Sequence, residues 1–174
     1  MDLRFIIPLA FAAFAFFVCS EAPFVKMTNV DCESFNKSWV VFHYCRLKAY
    51  SRNKTSLNIN LTVLEPVNDI FIKLKLMKKA NGYKPFLYDI TIDGCRFMRR
   101  PNNPAAKIVW NLIRRVSTVN HTCPYVGLQF LSDFHSIELP LPLPGGDYLL
   151  LMDYLFHGKK QLCTNVYFNM KEDW

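Results

Sequence analysis

The chain carries no GxSxG, HExxH, P-loop or dinucleotide-binding fingerprint, so the common hydrolase, zinc-protease and nucleotide chemistries have no anchor in it. It also has no CxxC pair and no cysteine–histidine spacing of a zinc site, which argues against a bound metal. Its four histidines, His43, His121, His135 and His157, are scattered. Asp89 and Asp93 share one face of a strand, but no partner acid or base can be named for them. The expectation is a protein that is not an enzyme and uses no cofactor. Nucleic acid is not an expected partner, because no binding motif for it is present. Repeats, low-complexity tracts and linkers are absent too, which leaves a single domain.

One absence has a sign. Between Asp93 and Asp133 there is no acidic residue, while Arg96, Arg99, Arg100, Lys107, Arg114 and Arg115 fall in the same interval. This makes a cationic flank. It reads either as a solvated face that keeps the chain soluble or as an attractor for anionic lipid headgroups or an acidic receptor surface, screened beyond about 8 to 10 Å in physiological salt.

What is present begins with Arg4 and the apolar run from Phe5 to Cys19, followed by small Ser20. The run is shorter than the roughly 20 residues a membrane span requires and no stop-transfer cluster follows it. Residues 1–20 are therefore expected to be a secretory signal peptide, and residues 21–174 one secreted, extracellular domain. The cysteines beyond the signal, Cys32, Cys45, Cys95, Cys123 and Cys163, would meet an oxidising compartment. Their number is odd. Cys32 with Cys45 and Cys95 with Cys123 is the expected pairing, with Cys163 left over, although Cys163 would compete for Cys32 if the chain ends meet. Sequons at Asn36, Asn53, Asn60 and Asn120 mark positions where a glycan would require a solvent-facing residue.

Periodicity supplies the elements. Leu57, Ile59, Leu61 and Val63 alternate with Asn58, Asn60 and Thr62; Ile70, Ile72, Leu74 and Leu76 alternate with Lys73 and Lys75; Phe86, Tyr88, Ile90 and Ile92 alternate with Leu87, Asp89 and Thr91. Each is a strand with one buried face. Pro23 to Cys32 and Trp39 to Tyr50 are expected to form an antiparallel pair that brings Cys32 opposite Cys45, and Pro66 is expected to break the strand after Glu65. Asn103 as N-cap and Pro104 as first residue open a helix whose apolar positions are Ala105, Ile108, Val109, Leu112, Ile113 and Val116. An irregular strand within Gly127 to Glu138, a proline-rich loop LPLPLPGG from Leu139, and strands over Asp147 to Phe156 and around Leu162, Val166 and Phe168 complete the chain. Seven or eight strands with one amphipathic helix predict a mostly β fold, a two-sheet antiparallel sandwich.

The stretches NGYKPFLYDITIDGC, HTCPY and LPLPLPGGDYLL, with FVKMTNVDCESFNKSW and HYCRLKAYSRN before them, resemble a large insect family of secreted proteins of uncharacterised function. The resemblance runs from about Val25 to at least Tyr154. That family is similar to the insect CheB chemosensory proteins and, more distantly, to the ML lipid-recognition superfamily, which includes the ganglioside activator protein. The resemblance implies an immunoglobulin-like, ML-type β-sandwich whose sheets separate around lipid. It also implies that Cys32, Cys45, Cys95 and Cys123 are the paired cysteines, with Cys163 a departure from the pattern.

The expected function is binding of a small apolar or lipid-like ligand, such as a pheromone or cuticular hydrocarbon. The candidate cavity residues are Leu57, Ile59, Leu61, Ile70, Ile72, Leu74, Phe86, Tyr88 and Ile90, with Phe97, Trp110 and Leu112 closing its mouth. The alternative is a dry-cored interaction module that presents its loops and basic helix to a receptor, in which the same side chains are ordinary core.

Overall fold

A computed structural model describes residues 24–51, 54–135 and 143–171 of the chain. The segment expected to be a signal peptide, Asn53 of its sequon and the first half of the proline-rich loop, residues 139–142, lie outside the described residues. Among the described residues eight strands and two helices follow in the order β1 (Phe24–Ser34), β2 (Val40–Ser51), β3 (Lys54–Val67), β4 (Ile70–Ala80), β5 (Gly82–Asp93), α1 (Gly94–Arg99), α2 (Pro104–Ile113), β6 (Tyr125–His135), β7 (Gly146–Phe156) and β8 (Lys159–Lys171). They make two antiparallel sheets, one of five strands in the order β1-β8-β7-β4-β5 and one of three in the order β2-β3-β6. The fold is the mostly β, two-sheet antiparallel sandwich that the alternating pattern calls for.

The first two strands do not pair with each other. The hydrogen-bonding edge of β1 is taken by β8, with Cys32 opposite Thr164, while β2 pairs with β3 in the other sheet, with Cys45 opposite Ile59. The Cys32–Cys45 disulfide, with Cα atoms 6.1 Å apart, therefore joins the two sheets and is not a rung within one of them. The chain ends do meet in the β1–β8 pair, yet Cys163 stands opposite Glu33, one residue out of step with Cys32. Successive side chains on a strand point to opposite faces, so Cys163 is turned away from Cys32 and remains a buried free thiol.

The inter-sheet core lies along this closed side, where β1 approaches β2 and β3. Met27 and Val30 of β1, Leu57 and Ile59 of β3 and Val166 of β8 form one buried cluster beside the disulfide. Val40, Val63 and Val67 pack with Phe156 and Leu162 in a second. Pro66 does not end β3: the strand continues to Val67, with a register shift against β6 between Val63 and Val67. The β2 ladder has already finished at Val63, so the missing proline N–H costs no ladder bond there.

Between β5 and β6 the chain crosses from the large sheet to the small one, and the helices occupy that crossing. Two helices stand where the periodicity calls for one. Gly94 looks like a strand terminator in sequence, but Asp93 is an N-cap whose carboxylate accepts the Arg96 N–H at 2.8 Å, which starts α1. Asn103 caps α2 in the same way, accepting the Ala106 N–H at 3.1 Å, with Pro104 at its first turn. Helix α2 ends at Ile113, so Val116 falls beyond it. The Cys95–Cys123 disulfide ties α1 to the segment that leads into β6.

Candidate functional site

Between the two sheets and beneath the helices lies a partly open cavity of about 330 Å³, whose wall includes Met27, Leu57, Ile59 and Val166 of the inter-sheet core. That is within the roughly 300–1,000 Å³ of small-molecule sites. Both sheets and both helices line it. The inward faces of β3 and β4 contribute Leu57, Ile59, Leu61, Ile70, Ile72 and Leu74, as the alternation requires, and β5 contributes Tyr88 and Ile92. Phe97 of α1 and Trp110 and Leu112 of α2 complete the helical wall.

Two of the expected lining residues lie elsewhere. Leu87 has a positive φ of 59°, a kink in β5 accompanied by a register shift against β4. Phe86 lies on the far side of this kink and is taken up by Tyr148, with ring centroids 5.8 Å apart, and by the Lys78 ammonium over its face. Ile90 is half-buried on the same edge strand, opposite Leu74, which lines the cavity where Ile90 does not.

Several lining residues carry no clear signal in the sequence. Leu150, Met152 and Tyr154 of β7 face the cavity, but the run DYLLLMDYLF is apolar on both faces and periodicity cannot choose between them. On β6, Leu131 and Phe134 both face inward because Asp133, with φ 49°, introduces a bulge: Ile59 pairs with Leu131 and Leu57 with Phe134. An odd spacing of three conceals that face from a period-two reading.

Polar groups in the lining are few and mostly engaged. The Tyr154 and Thr164 hydroxyls lie 3.3 Å apart, and burial pushes the Tyr154 phenol pKa up. The Tyr125 hydroxyl donates to the His121 carbonyl at 2.5 Å, and burial raises its pKa to about 12. Gln129 accepts from the Thr118 hydroxyl at 3.0 Å and donates to the Val126 carbonyl at 3.2 Å. Among the described residues no charged side chain lines the cavity.

The groups that would matter for catalysis or charge are placed outside it. His43 meets the Thr62 hydroxyl at 2.8 Å on the surface, His135 packs edge-on to Tyr50, and His157 lies 3.4 Å from Asp69. Asp89 pairs with Lys75 at 2.8 Å, and Asp93 is occupied as the α1 cap. Arg96, Arg99, Arg100, Lys107, Arg114 and Arg115 are all exposed, and the Arg114 guanidinium sits 5.1 Å from the centre of the Trp110 ring. Of the sequons, Asn120 is exposed. Asn60 lies on the outer face of β3 between exposed Tyr44 and Phe130, and Asn36 accepts two hydrogen bonds from Ser38 in a turn. Among the described residues no helix is long and apolar enough to cross a membrane.

Comparison with known proteins adds three findings. No curated protein matches the chain in sequence. A crystal structure of a Niemann-Pick type C2 protein from Japanese carpenter ant is similar to it at 11% identity, covering 86% of this chain and 93% of that one with a TM-score of 0.32. Residues 72–150, from near the start of β4 to the middle of β7, match a family described as a protein of unknown function, DUF1091.

Proposed function

We propose that the protein is a secreted, extracellular carrier that binds a small apolar or lipid-like molecule between its sheets. The cavity of about 330 Å³ with its almost wholly apolar lining carries this reading. A dry-cored module would need no such space. The driving force would be burial, about 0.8 kcal/mol for each methylene taken from water, offset by the cost of ordering the ligand. Two disulfides fit an oxidising compartment, and the apolar run at residues 5–19 fits an export signal. Sugars on Asn36, Asn60 or Asn120, a ligand of the pheromone or cuticular-hydrocarbon type and a role in insect chemosensation belong to the same proposal, as does the absence of catalysis. The exposed cations from Arg96 to Arg115 would draw the carrier to anionic lipid or to an acidic receptor.

Titration with an environment-sensitive apolar dye tests the proposal. The wild-type protein should bind the dye in a saturable way, and an alkane should displace it. Ile72→Trp and Leu61→Trp, which push bulk into the space from facing sheets, should each weaken binding at least tenfold. Equal binding by wild type and both variants would place the dye outside the cavity and count against the carrier.

A further inference from the structure

The polar side chains of the cavity wall include two hydrogen-bond donors with no use in the fold. After α2 the chain runs back along the outer edge of β6: the Ser132 N–H donates to the Val116 carbonyl at 2.9 Å and the Thr118 N–H to the Phe130 carbonyl at 3.0 Å. Ser117 lies between them, directly opposite Leu131 in an antiparallel bridge. Residues opposite one another in such a bridge point to the same face, and Leu131 faces the cavity, so Ser117 does too. The residue is only 7% exposed, and its Oγ is buried with no hydrogen-bond partner among the described residues. Trp110, on the neighbouring helix, is in the same state: its ring lines the cavity, and its Nε1 is buried without a partner.

An unpaired buried donor costs roughly 1–3 kcal/mol, and a pure hydrocarbon would leave both unpaired. Gln129, Thr164, Tyr125 and Tyr154 differ, since each already has a bond within the protein. Among the described residues no cation lines the space, and Arg114, whose guanidinium lies 5.1 Å from the centre of the Trp110 ring, is itself exposed, so a carboxylate buried in the cavity would have no counter-charge in its wall. A neutral oxygen acceptor meets both conditions.

We propose that Ser117 Oγ and Trp110 Nε1 form a polar subsite that selects an apolar ligand bearing an uncharged carbonyl or similar oxygen, such as a ketone or ester, over the alkane and the carboxylate of the same length. This rests on the carrier reading above and specifies its ligand class.

The test uses the secreted protein and competition against the apolar dye by three probes of equal chain length: an alkane, its methyl ketone and its carboxylate. Comparison of wild type with Ser117→Ala and with Ser117→Ala/Trp110→Phe cancels the differing solubilities of the probes. The ketone-to-alkane affinity ratio should fall about fivefold in the single variant and further in the double, as expected for the loss of one and then two neutral hydrogen bonds. The ratio within each protein is the readout, because Trp110→Phe also reshapes the apolar wall and shifts the affinity for alkane and ketone together. Ser117→Ala removes a hydroxyl that bonds to nothing, so its melting temperature should not fall, which separates loss of the subsite from loss of the fold. The indole N–H resonance of Trp110, assigned through Trp110→Phe in nitrogen-labelled protein, should move on ketone binding and stay nearly still with alkane. An unchanged ratio, or an indole signal that responds equally to both probes, would overturn the subsite while leaving the carrier intact. Failure of the dye and every probe to bind would overturn both.

Discussion

Phe97 of α1 and Trp110 of α2 meet edge to face with ring centroids 6.1 Å apart, and both rings form part of the cavity wall. Helices of six and ten residues are too short to persist alone in water. Their position depends on this contact, on the α1 cap at Asp93 and on the Cys95–Cys123 bridge.

Removing that bridge should therefore loosen the wall. It closes a loop with a sequence separation of 28, and chain entropy assigns such a cross-link about 3–4 kcal/mol. The Cys95→Ala/Cys123→Ala variant should lose stability of that order in urea. Its amide exchange should rise first in residues 94–116, ahead of the β1–β8 and β7–β8 ladders. Uniform exchange across the chain would mean that the helices are held some other way.

Gly94 reports on the same joint. A Cβ there would stand 2.9 Å from Ile70 Cγ2 and 3.2 Å from the Ile70 carbonyl oxygen, and neither is the free end of a flexible chain. Gly94→Ala should cost about 1–3 kcal/mol through overpacking. Gly82, at the β4–β5 turn, has nothing within 4 Å of the same position, but its φ of +87° strains any side chain there. The Gly82 substitution should thus be destabilising without altering dye binding, whereas Gly94→Ala should affect both.

Burial raises the Cys163 thiol pKa, and the residue is 5% exposed. The thiolate is the reactive form. At pH 7 to 8 a thiol reagent should leave Cys163 unmodified in the native protein and react with one equivalent once denaturant is added. Rapid labelling under native conditions would show that this part of β8 opens readily.

Alkaline pH should weaken the fold. The Tyr125 phenol is neutral to a higher pH in the folded state, about 12 against 10.0 unfolded. Its contribution is fully present below pH 10 and is lost as pH rises toward 12, because the unfolded chain gives up the proton first. Burial shifts Tyr154 and Tyr167 in the same direction. Tyr125→Phe should flatten part of the decline in melting temperature above pH 10, a change that leaves the neutral-pH profile alone.

Much of this architecture is legible in the residues themselves. Leu57, Ile59 and Leu61 alternate cleanly because β3 has one wet face, and their inward direction follows from that alone. Asn103-Pro104 announces α2 through local chemistry. Sheet membership is a different matter. Nothing local says that β1 leaves β2 for β8, since strand pairing depends on which edges remain free after the whole chain has folded. The kinks at Leu87 and Asp133 break the period on which face assignment rests, which is why Phe86 reads as lining and Phe134 does not. The direction of Ser117 is not legible for a similar reason: it comes from a single long-range bridge to Leu131.

The most direct test of a carrier is to weigh it as secreted. Native mass spectrometry of the protein from insect cells, followed by organic extraction of the passenger, should find one apolar molecule per chain in the wild type and none, or far less, in folded Ile72→Trp. A wild-type protein that is secreted empty, and stays empty after exposure to alkanes, ketones and fatty acids, would contradict the claim that the cavity exists to be filled.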